Sequence, residues 1–417
     1  MAAWLTPAAA AMSRTVVRAH PRSIRQRLAP ASRSSRFPMP GSIPRYLPKW
    51  FDQMDKTRVQ SGPMTTVLIS GASVAGPALA YFLHRHGCSV TVVERAPHLR
   101  DSGYGVDFRG RALDVLADMG VLDEVRAHET MMRGTTMVDE HGEVLAELPS
   151  ETFAGELEVP KRELTRILHR RTADDVTYVF DDSITAMTQH DTGVTVAFER
   201  AGTRDFDLVI GADGVHSIVR RLAFGPQPGA LRHLGMSGVG FSAPNHLGLD
   251  HRSLIQTSPG SAVLLFGHDP AAPLTVSLSF ATDGPDLDHR DRRTQEQAVR
   301  DAFAGRGWEV PRLLEAMSAA DDLYFASSCQ VVLDGWSRGR VALVGDAGYC
   351  AAPTSGMGTS QALIGAWTLA RCLAESGGDH AAAFAAYESE LRPYVEENQE
   401  RGREAAAMFG AQAAPIE

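Results

Sequence analysis

The sequence has little cysteine, and none of it is arranged to bind a metal or to form a disulfide framework. The 417 residues include only Cys88, Cys329, Cys350 and Cys372, which lie far apart. They form no CxxC pair, and none has a histidine at the spacing of zinc ligands. We therefore expect no metal site and no disulfide scaffold. Isolated cysteines fit a reducing compartment, so we expect a cytoplasmic protein.

Long apolar runs are also missing. The longest stretch without a charged residue, Ala347 to Ala370, opens with glycine, proline, serine and threonine and becomes apolar only near its end. A membrane-spanning helix needs about 20 consecutive, predominantly apolar residues. We therefore expect no transmembrane segment and no membrane partner.

Acidic residues are scarce in the first 63 positions, which contain eleven lysines and arginines against Asp52 and Asp55. Because this stretch is rich in alanine, serine and proline, we expect residues 1–63 to be a disordered extension. A basic, acid-poor start is also typical of a transit peptide. Because Met64 stands directly before the first predicted strand, translation from an upstream start codon would explain the extension equally well. The other residues include 30 basic and 48 acidic ones, a net charge of about −18. This charge disfavours nucleic acid, so a small molecule is the expected partner.

The first strong pattern begins at Thr66, where an apolar run, a glycine turn, a stretch of helical period and a second apolar run predict a βαβ unit. In its turn, GASVAG, Gly71 ends the strand and Gly76 lies in the first helical turn. The backbone can therefore approach a pyrophosphate at the helix N-terminus. Ser73 replaces the middle glycine of GxGxxG, and Glu94, after the second strand, could accept the ribose hydroxyls of an adenosine.

The neighbours of these residues leave alternatives open. Val74 and Ala75 complete the turn, and Arg95 could stack on adenine, meet a phosphate or be a solvated surface residue. The turn alone does not distinguish FAD from NAD. An ordinary tight turn with a surface glutamate is the competing structural interpretation.

A second segment, DLVIGADGVHS, places Asp213 and Gly214 between an apolar strand and a helix. Ligands of doubly wound folds bind at such strand ends. Asp213 could equally be a structural residue that caps the helix beginning near Ser217.

The third segment, RVALVGDAGYCAAPTSGMG, is more specific. Asp346 follows a buried strand and could accept a ribityl hydroxyl. In the loop after it, Pro353 and Met357 accompany Gly356 and Gly358, which have no side chains. The amides of these two glycines can meet N1 and the C2 carbonyl of a flavin, where negative charge gathers on reduction.

Together the three segments resemble the class A FAD-dependent monooxygenases of the aromatic-hydroxylase type. This family includes para-hydroxybenzoate hydroxylase and tetracycline-inactivating monooxygenases. The resemblance spans about Val67 to Leu373 and implies that the first segment binds the ADP part of FAD, the second borders FAD and the nicotinamide route, and the third binds the flavin. The cofactor-binding residues that it implies are Gly71, Ser73, Val74, Ala75, Gly76, Glu94, Arg95, Asp107, Lys161, Asp213, Gly214, Asp346, Pro353, Gly356, Met357 and Gly358.

Within this set, Asp107 is included because the family places a comparable turn beneath the cofactor. The chain also departs from the family pattern at three positions. Lys161 stands where the family usually has an arginine, and a lysine cannot make the planar bidentate contact to a phosphate. Tyr349 stands at the place of a histidine, and Ser360 at the place of an asparagine.

These patterns predict an α/β fold in which a Rossmann-like FAD-binding domain is interleaved with an antiparallel β-sheet substrate domain, followed by C-terminal helices. Within the substrate domain we expect a charged helical segment from about Arg293 to Ala316. The predicted boundaries are 64–131, 156–228 and 334–375 for the FAD-binding domain, 132–155 and 229–333 for the substrate domain, and 376–417 for the C-terminal helical segment.

The resemblance implies that NAD(P)H reduces FAD and that the reduced flavin uses O2 to oxygenate an aromatic or polyketide-like molecule. Such a reaction needs no protein nucleophile or metal, so we name no catalytic acid or base. The alternatives on the same scaffold are an FAD-dependent reductase of the prenyl-reductase type and a non-catalytic flavin-binding protein. An NAD-dependent dehydrogenase would leave the third segment without a role. The sequence predicts neither the oligomeric state nor a choice between NADH and NADPH.

Overall fold

The computed structural model of the protein describes residues 64–99, 104–150, 155–282 and 291–413, with the backbone alone for 408–413. The predicted disordered extension, residues 1–63, lies outside the described residues. All four cysteines are free thiols.

A six-stranded sheet forms one half of the fold. Its strands, numbered in chain order, are β1 (Thr66–Ser70), β2 (Ser89–Glu94), β7 (Thr177–Phe180), β11 (Leu208–Gly211), β17 (Ser337–Arg338) and β18 (Val341–Leu343). They lie in the order β17-β18-β11-β1-β2-β7, and only β17 is antiparallel to its neighbour. The central strands β1 and β11 are apolar along nearly their whole length, because a parallel sheet is covered on both faces.

A seven-stranded sheet forms the other half. Its strands are β4 (Thr135–Val138), β5 (Val144–Leu148), β12 (Leu231–Ala243), β13 (Arg252–Ser258), β14 (Ser261–Gly267), β15 (Leu274–Ala281) and β16 (Tyr324–Val331). Their order is β16-β12-β15-β14-β13-β4-β5, with one parallel pairing, between β13 and β4. We call this the substrate sheet.

Two smaller sheets complete the strands. A two-stranded pair joins β3 (Gly105–Phe108) to β6 (Leu157–Pro160), and a three-stranded sheet contains β8 (Ile184–His190), β9 (Gly193–Phe198) and β10 (Thr203–Phe206). The first of these lies close to the helix that follows the third sequence segment, since β3 contacts that helix.

Helices connect and cover the sheets. They are α1 (Ala75–Arg85), α2 (Arg111–Asp118), α3 (Leu122–Arg126), α4 (Lys161–Thr172), α5 (Ile218–Phe224), α6 (Arg292–Ala302), α7 (Val310–Ala319), α8 (Asp346–Tyr349), α9 (Gly358–Glu375) and α10 (His380–Ala413). The mixed α/β architecture with helices at the C-terminal end confirms the predicted fold class. None of the helices in the described ranges is long and apolar enough to span a bilayer.

One predicted element is wrong as drawn. The charged helix expected from about Arg293 to Ala316 is two helices, α6 and α7, separated by a turn. Gly305 and Trp308 both have positive φ in this turn, at 72° and 52°, which a right-handed helix cannot accommodate. The two glycines of the sequence AGRG favour such a break, whereas the charge pattern on both sides of them favoured one continuous helix.

A buried aromatic cluster joins the C-terminal helix to the parallel sheet. Tyr349, at the place of the family's histidine, is fully buried, and its ring centroid lies 4.5 Å from that of Trp336. The hydroxyls of Tyr349 and Tyr387 are 2.8 Å apart, and the Tyr387 hydroxyl donates to the carbonyl of Leu343 at 3.0 Å. Tyr349 therefore has a packing role in which α10 is attached to the end of β18.

This cluster requires a glycine at position 365. A Cβ there would collide with the hydroxyl of Tyr349. We expect Gly365→Ala to lower the free energy of unfolding by about 1–3 kcal/mol, the usual cost of overpacking a core. Urea denaturation of the apoprotein measures this.

The matched control is Gly307→Ala, because the nearest atom to a Cβ at that site is Glu140 O at 3.6 Å, an ordinary contact. It should change the free energy of unfolding by no more than about 0.5 kcal/mol. Equal effects of the two substitutions would contradict the packing role of Tyr349.

Candidate active site

The three glycine-bearing segments meet at one edge of the parallel sheet. Strands β18, β11 and β1 are adjacent and parallel, with Gly211 aligned to both Leu343 and Ser70. Their carboxyl ends therefore lie side by side, and the turns that follow them are neighbours. Ligands of doubly wound sheets bind at this edge.

Close backbone contacts fix the first two turns against each other. Gly71 has φ 111°, and a Cβ on it would collide with the carbonyl oxygen of Ala212 in the second segment. A Cβ on Gly76 would collide with the carbonyl oxygen of Gly71 itself. Both glycines are thus required by the protein's own packing, before any ligand is considered.

Two further contacts attach the third segment. A Cβ on Gly345, which has φ 65°, would lie 3.2 Å from the Cβ of Ala75 at the start of α1. The buried guanidinium of Arg220 donates to the carbonyl of Ala347 at 2.7 Å and to that of Val215 at 2.7 Å. Arg220 therefore ties the second segment to the third, a role that nothing in its sequence context indicated.

At the adenosine end, Glu94 is positioned by two backbone amides. One carboxylate oxygen accepts from Ala72 N and the other from Ala96 N, both at 2.9 Å. Each carboxylate oxygen can accept more than one hydrogen bond, so hydroxyls can still be bound. Ser73 and Arg95 are exposed, whereas Val74 and Ala75 are buried at the start of α1 and support the turn from below.

In the second segment, the carboxylate of Asp213 acts as a helix cap. It accepts from Ser217 Oγ at 2.5 Å, Ile218 N at 2.8 Å and Val219 N at 3.2 Å. Of the two interpretations of this residue, the structure supports the structural one, and its contact with a cofactor stays a prediction. Gly214 has φ 83° and is half-buried.

Asp346 is the first residue of α8, at the end of the third segment's strand. Its side chain is reached by solvent, yet partial desolvation by the surrounding protein raises the pKa of the carboxyl above its usual range. The positive charge of Lys161 opposes this rise of the pKa. Lys161 Nζ also donates to the hydroxyl of Tyr104 at 2.6 Å.

The loop between α8 and α9, residues 350–357, is called the flavin loop below. Pro353 begins a short 3-10 turn in it, and the amide of Gly356 donates back to Pro353 O at 3.2 Å. The amide of Met357 donates to Ser355 Oγ at 3.2 Å. The expected donor at Gly356 is therefore already engaged. The first backbone hydrogen bond of α9 is donated by the amide of Gln361. The amides of residues 358–360 therefore have no acceptor within the helix.

Gly358 borders open space. Outside its own helix, no atom of the described residues lies within 4 Å of the position that a Cβ would occupy. The φ of Gly358 is not positive, so its backbone conformation is one that other residues adopt as well. Neither packing nor backbone conformation demands a glycine here, so the residue leaves room for a ligand to approach α9. This is the fit expected for the ring of a flavin.

Asp107, which the resemblance places near the cofactor, is buried, and its contact with FAD stays a prediction. It is directly opposite Glu158 in the β3–β6 pair, and both side chains are 3 % exposed. Because Lys161 N donates to Tyr104 O, the alternation of the ladder makes Asp107 and Glu158 a non-hydrogen-bonded pair, whose side chains are close. Asp107 Oδ1 accepts from Gly155 N at 2.8 Å and Glu158 Oε1 from Thr130 Oγ1 at 2.7 Å. The other oxygen of each has no hydrogen-bond partner among the described residues.

Ser360 is also turned inwards. It is fully buried, its hydroxyl accepts from Arg109 N at 3.2 Å and donates to Asp107 O at 3.4 Å. The serine at the family's asparagine position thus attaches α9 to the backbone after β3. The main-chain carbonyl of Asp107 is thereby hydrogen-bonded to α9.

The comparisons with known proteins agree with this geometry. The family described as FAD binding domain matches residues 64–402. A "Flavin-dependent monooxygenase" from an unknown prokaryotic organism is 40 % identical over 340 residues, which cover 81 % of this chain and 88 % of the relative.

This chain belongs to the class A FAD-dependent monooxygenases. The resemblance inferred from the three segments is confirmed, and FAD is the cofactor. "Uncharacterized protein Rv1260" of Mycobacterium tuberculosis is 43 % identical over 342 residues, or 81 % of this chain and 92 % of that protein. The crystal structure of tetracycline destructase Tet(51) superimposes with a TM-score of 0.77 at 35 % identity and covers 84 % of this chain and 92 % of that one.

Because Gly358 borders open space, a side chain there tests whether a flavin occupies it. We expect Gly358→Val to weaken FAD binding at least about tenfold, since the new methyl groups would meet the flavin and no described protein atom. The free energy of unfolding of the apoprotein should stay within about 0.5 kcal/mol. Fluorescence titration of the apoprotein with FAD measures the first and urea denaturation the second.

The control is Gly307→Val, which adds the same side chain far from the parallel-sheet edge. It should leave the dissociation constant for FAD unchanged. If Gly358→Val bound FAD as tightly as the unmodified protein, the flavin would not lie against the start of α9.

The acid pair predicts a pH dependence of stability. Burial raises the pKa of Glu158 to about 8, with a further contribution from the charge of Asp107, and burial also raises the pKa of Asp107. A carboxyl whose pKa is raised by folding binds more protons in the folded state, so stability is lost as the pH rises through that pKa. We expect the free energy of unfolding to fall by roughly 1–3 kcal/mol between pH 5.5 and 8.5.

Glu158→Gln removes this titration while keeping an acceptor for Thr130. The variant should lose much less stability over the same pH interval and should exceed the unmodified protein at pH 8.5. Parallel stability curves for the two proteins would show that the pair does not titrate in this range.

Proposed function

We propose that the protein uses NAD(P)H and O2 to oxygenate an aromatic or polyketide-like molecule held between the flavin and the substrate sheet. The observation that carries this proposal is the composition of the sheet face turned towards the flavin loop. Because the four cysteines are free thiols, we also place the reaction in the cytoplasm.

The substrate sheet has two unlike faces. One is covered by α6 and α7 and is apolar, with Val239, Val263 and Leu278 in one row across the strands. Side chains alternate between faces along a strand, so the adjacent positions belong to the opposite face. The strand register gives two rows on that face: Tyr324, Gly240, Ser277, Leu264 and Ile255, and next to it Ala326, Gly238, Ser279, Ala262 and Thr257.

The second face is directed at the FAD-binding half. Tyr324, at the start of β16, stacks on Tyr104 with ring centroids 6.2 Å apart, and Tyr104 is bonded to Lys161. Gln330, six residues further along the same face, donates to the carbonyl of Ala351 in the flavin loop at 3.2 Å. Between these contacts the rows consist mostly of glycine, alanine and serine. Short side chains leave room for a flat, extended substrate, which agrees with the name of the tetracycline destructase relative.

The residues at the sheet edge would hold FAD in the order of the three segments. The N-terminus of α1 stabilises the pyrophosphate, and Glu94 accepts from the ribose hydroxyls. Asp346 accepts from a ribityl hydroxyl, and the leftover amides at Gly358 and the next two residues meet the carbonyl edge of the flavin ring. When bound and reduced by NAD(P)H, the flavin supplies the activation of O2.

The protein's own part is positioning and exclusion of water. The substrate sheet covers the open side of the flavin, and the stack of Tyr324 on Tyr104 closes one end of the interval between the two halves. The Lys161 ammonium, whose charge acts on Asp346, would supply positive charge to the cofactor as a point charge. We assign no residue to acid–base chemistry.

Coupled oxygen consumption tests the proposed reaction. With FAD bound, oxidation of NADH or NADPH should be slow alone and several-fold faster with an accepted phenol or polyketide. Oxygen uptake should match it without release of peroxide. Anaerobic turnover of the substrate would instead support the prenyl-reductase type, and no stimulation across a broad panel would support a non-catalytic flavin protein.

A matched pair of variants locates the substrate. Ala326→Leu fills the face turned to the flavin loop and should raise the KM for the substrate several-fold at an unchanged FAD content. Ala316→Leu makes the same exchange on α7, behind the sheet, and should leave KM unchanged. If only the second variant raised KM, the substrate would not lie on the proposed face.

A further inference from the structure

The flavin loop contains a residue in a strained backbone conformation. Ala352 has φ 71° and ψ 152°, a region that almost only glycine adopts. It is 3 % exposed, and Pro353 follows it. A residue before proline normally adopts an extended conformation with negative φ. Contacts with the rest of the protein must hold Ala352 in this conformation, because an alanine before a proline would otherwise adopt a negative φ.

Amide side chains hold the backbone on the N-terminal side of Ala352. The carbonyls of residues 349–351 each accept from a different glutamine. Gln361 donates to the first at 2.7 Å, Gln399 to the second at 3.3 Å and Gln330 to the third at 3.2 Å. These glutamines come from α9, α10 and β16, so three separate elements converge on three successive peptide groups.

These glutamines make further hydrogen bonds among themselves and with neighbouring residues. Gln330 Nε2 donates to Gln399 O at 2.6 Å, Gln399 Nε2 to Val331 O at 2.8 Å, and Asn398 Nδ2 to Gln361 Oε1 at 3.0 Å. All four amide side chains are at least nine-tenths buried. A buried polar network is favourable only when its members are satisfied together, so it specifies a single arrangement.

The C-terminal helix is pressed directly against the loop. A Cβ on Gly402 would collide with the carbonyl oxygen of Ala351, so the helix backbone itself touches this peptide. Thr354 Oγ1 donates to Gly402 O at 2.8 Å. The loop is thus fixed on both sides of Ala352.

We propose that Gln330, Gln361 and Gln399 are positioning residues that hold the flavin loop in its strained conformation and thereby direct the start of α9 at the flavin. The strain would otherwise relax by a change of φ at Ala352, which would reorient the 3-10 turn and the amides of residues 358–360. The proposal rests on FAD binding at this loop and is independent of the reaction that the flavin performs.

The experiment combines removal of the network with removal of the strain. Gln399→Leu deletes two bonds of the network, and Ala352→Gly makes the same loop conformation free of strain. The two single variants, the double variant and the control Gln256→Leu are prepared as apoprotein. Gln256 is a buried glutamine on the helix-covered side of the substrate sheet. FAD dissociation constants come from fluorescence titration and stabilities from urea denaturation.

We expect Gln399→Leu to weaken FAD binding about tenfold, and Ala352→Gly in the same chain to restore most of that loss. Alone, Ala352→Gly should stabilise the apoprotein, because it removes the strain without removing the network. Gln256→Leu should lower stability without affecting FAD binding. A merely structural role of Gln399 would lower stability in the same way and would not be rescued by glycine at 352.

The proposal is overturned if Gln399→Leu binds FAD normally, if the double variant binds FAD as weakly as the single one, or if Ala352→Gly alone destabilises the protein. Should Gln399→Leu fail to fold, Ala352→Gly still decides whether strain is present, and Gln361→Leu with its own double variant decides the rescue. Failure of oxygenation would leave all these FAD dissociation constants unaffected, so the two proposals fail separately.

Discussion

The close approach of three turns at the edge of the parallel sheet is the constraint on which the site depends. Gly71 lies against Ala212 O and Gly76 against Gly71 O, at distances that exclude any side chain, and Gly345 packs tightly against Ala75. The Arg220 guanidinium completes the contact by bridging two of the turns. Since these contacts are made within the protein, the binding edge is organised before FAD arrives, which reduces the cost of ordering it on binding.

The remainder of the fold supports this edge from two directions. The substrate sheet faces it through β16, whose two ends contact Tyr104 by way of Tyr324 and the flavin loop by way of Gln330. The C-terminal helix reaches it from behind, where Tyr387 contacts the end of β18. The chain crosses between the two halves several times, so neither half is a continuous segment. The site consequently depends on residues from both.

Local signals identify the parts of the site that lie within one strand, turn and helix. The glycines at 71 and 76, the acid at 94 and the loop around Gly358 are of this kind, because backbone approach and helix dipoles act over a few residues. The sequence alone left the role of Asp213 open, because a helix cap and a cofactor contact use the same carboxylate. The pairing of Asp107 with Glu158, and the meeting of Gln330 with Gln399, join residues far apart in the chain. No local sequence pattern marks these residues, because their contacts form only in the packed fold.

A crystal structure of the protein with FAD tests most directly whether the three turns form one site. We expect the ribose hydroxyls of the adenosine within hydrogen-bond distance of Glu94, the ribityl chain at Asp346 and the flavin ring against Gly358, facing the short side chains of the substrate sheet. An FAD molecule bound elsewhere, or one whose flavin ring lies away from the start of α9, would contradict the account.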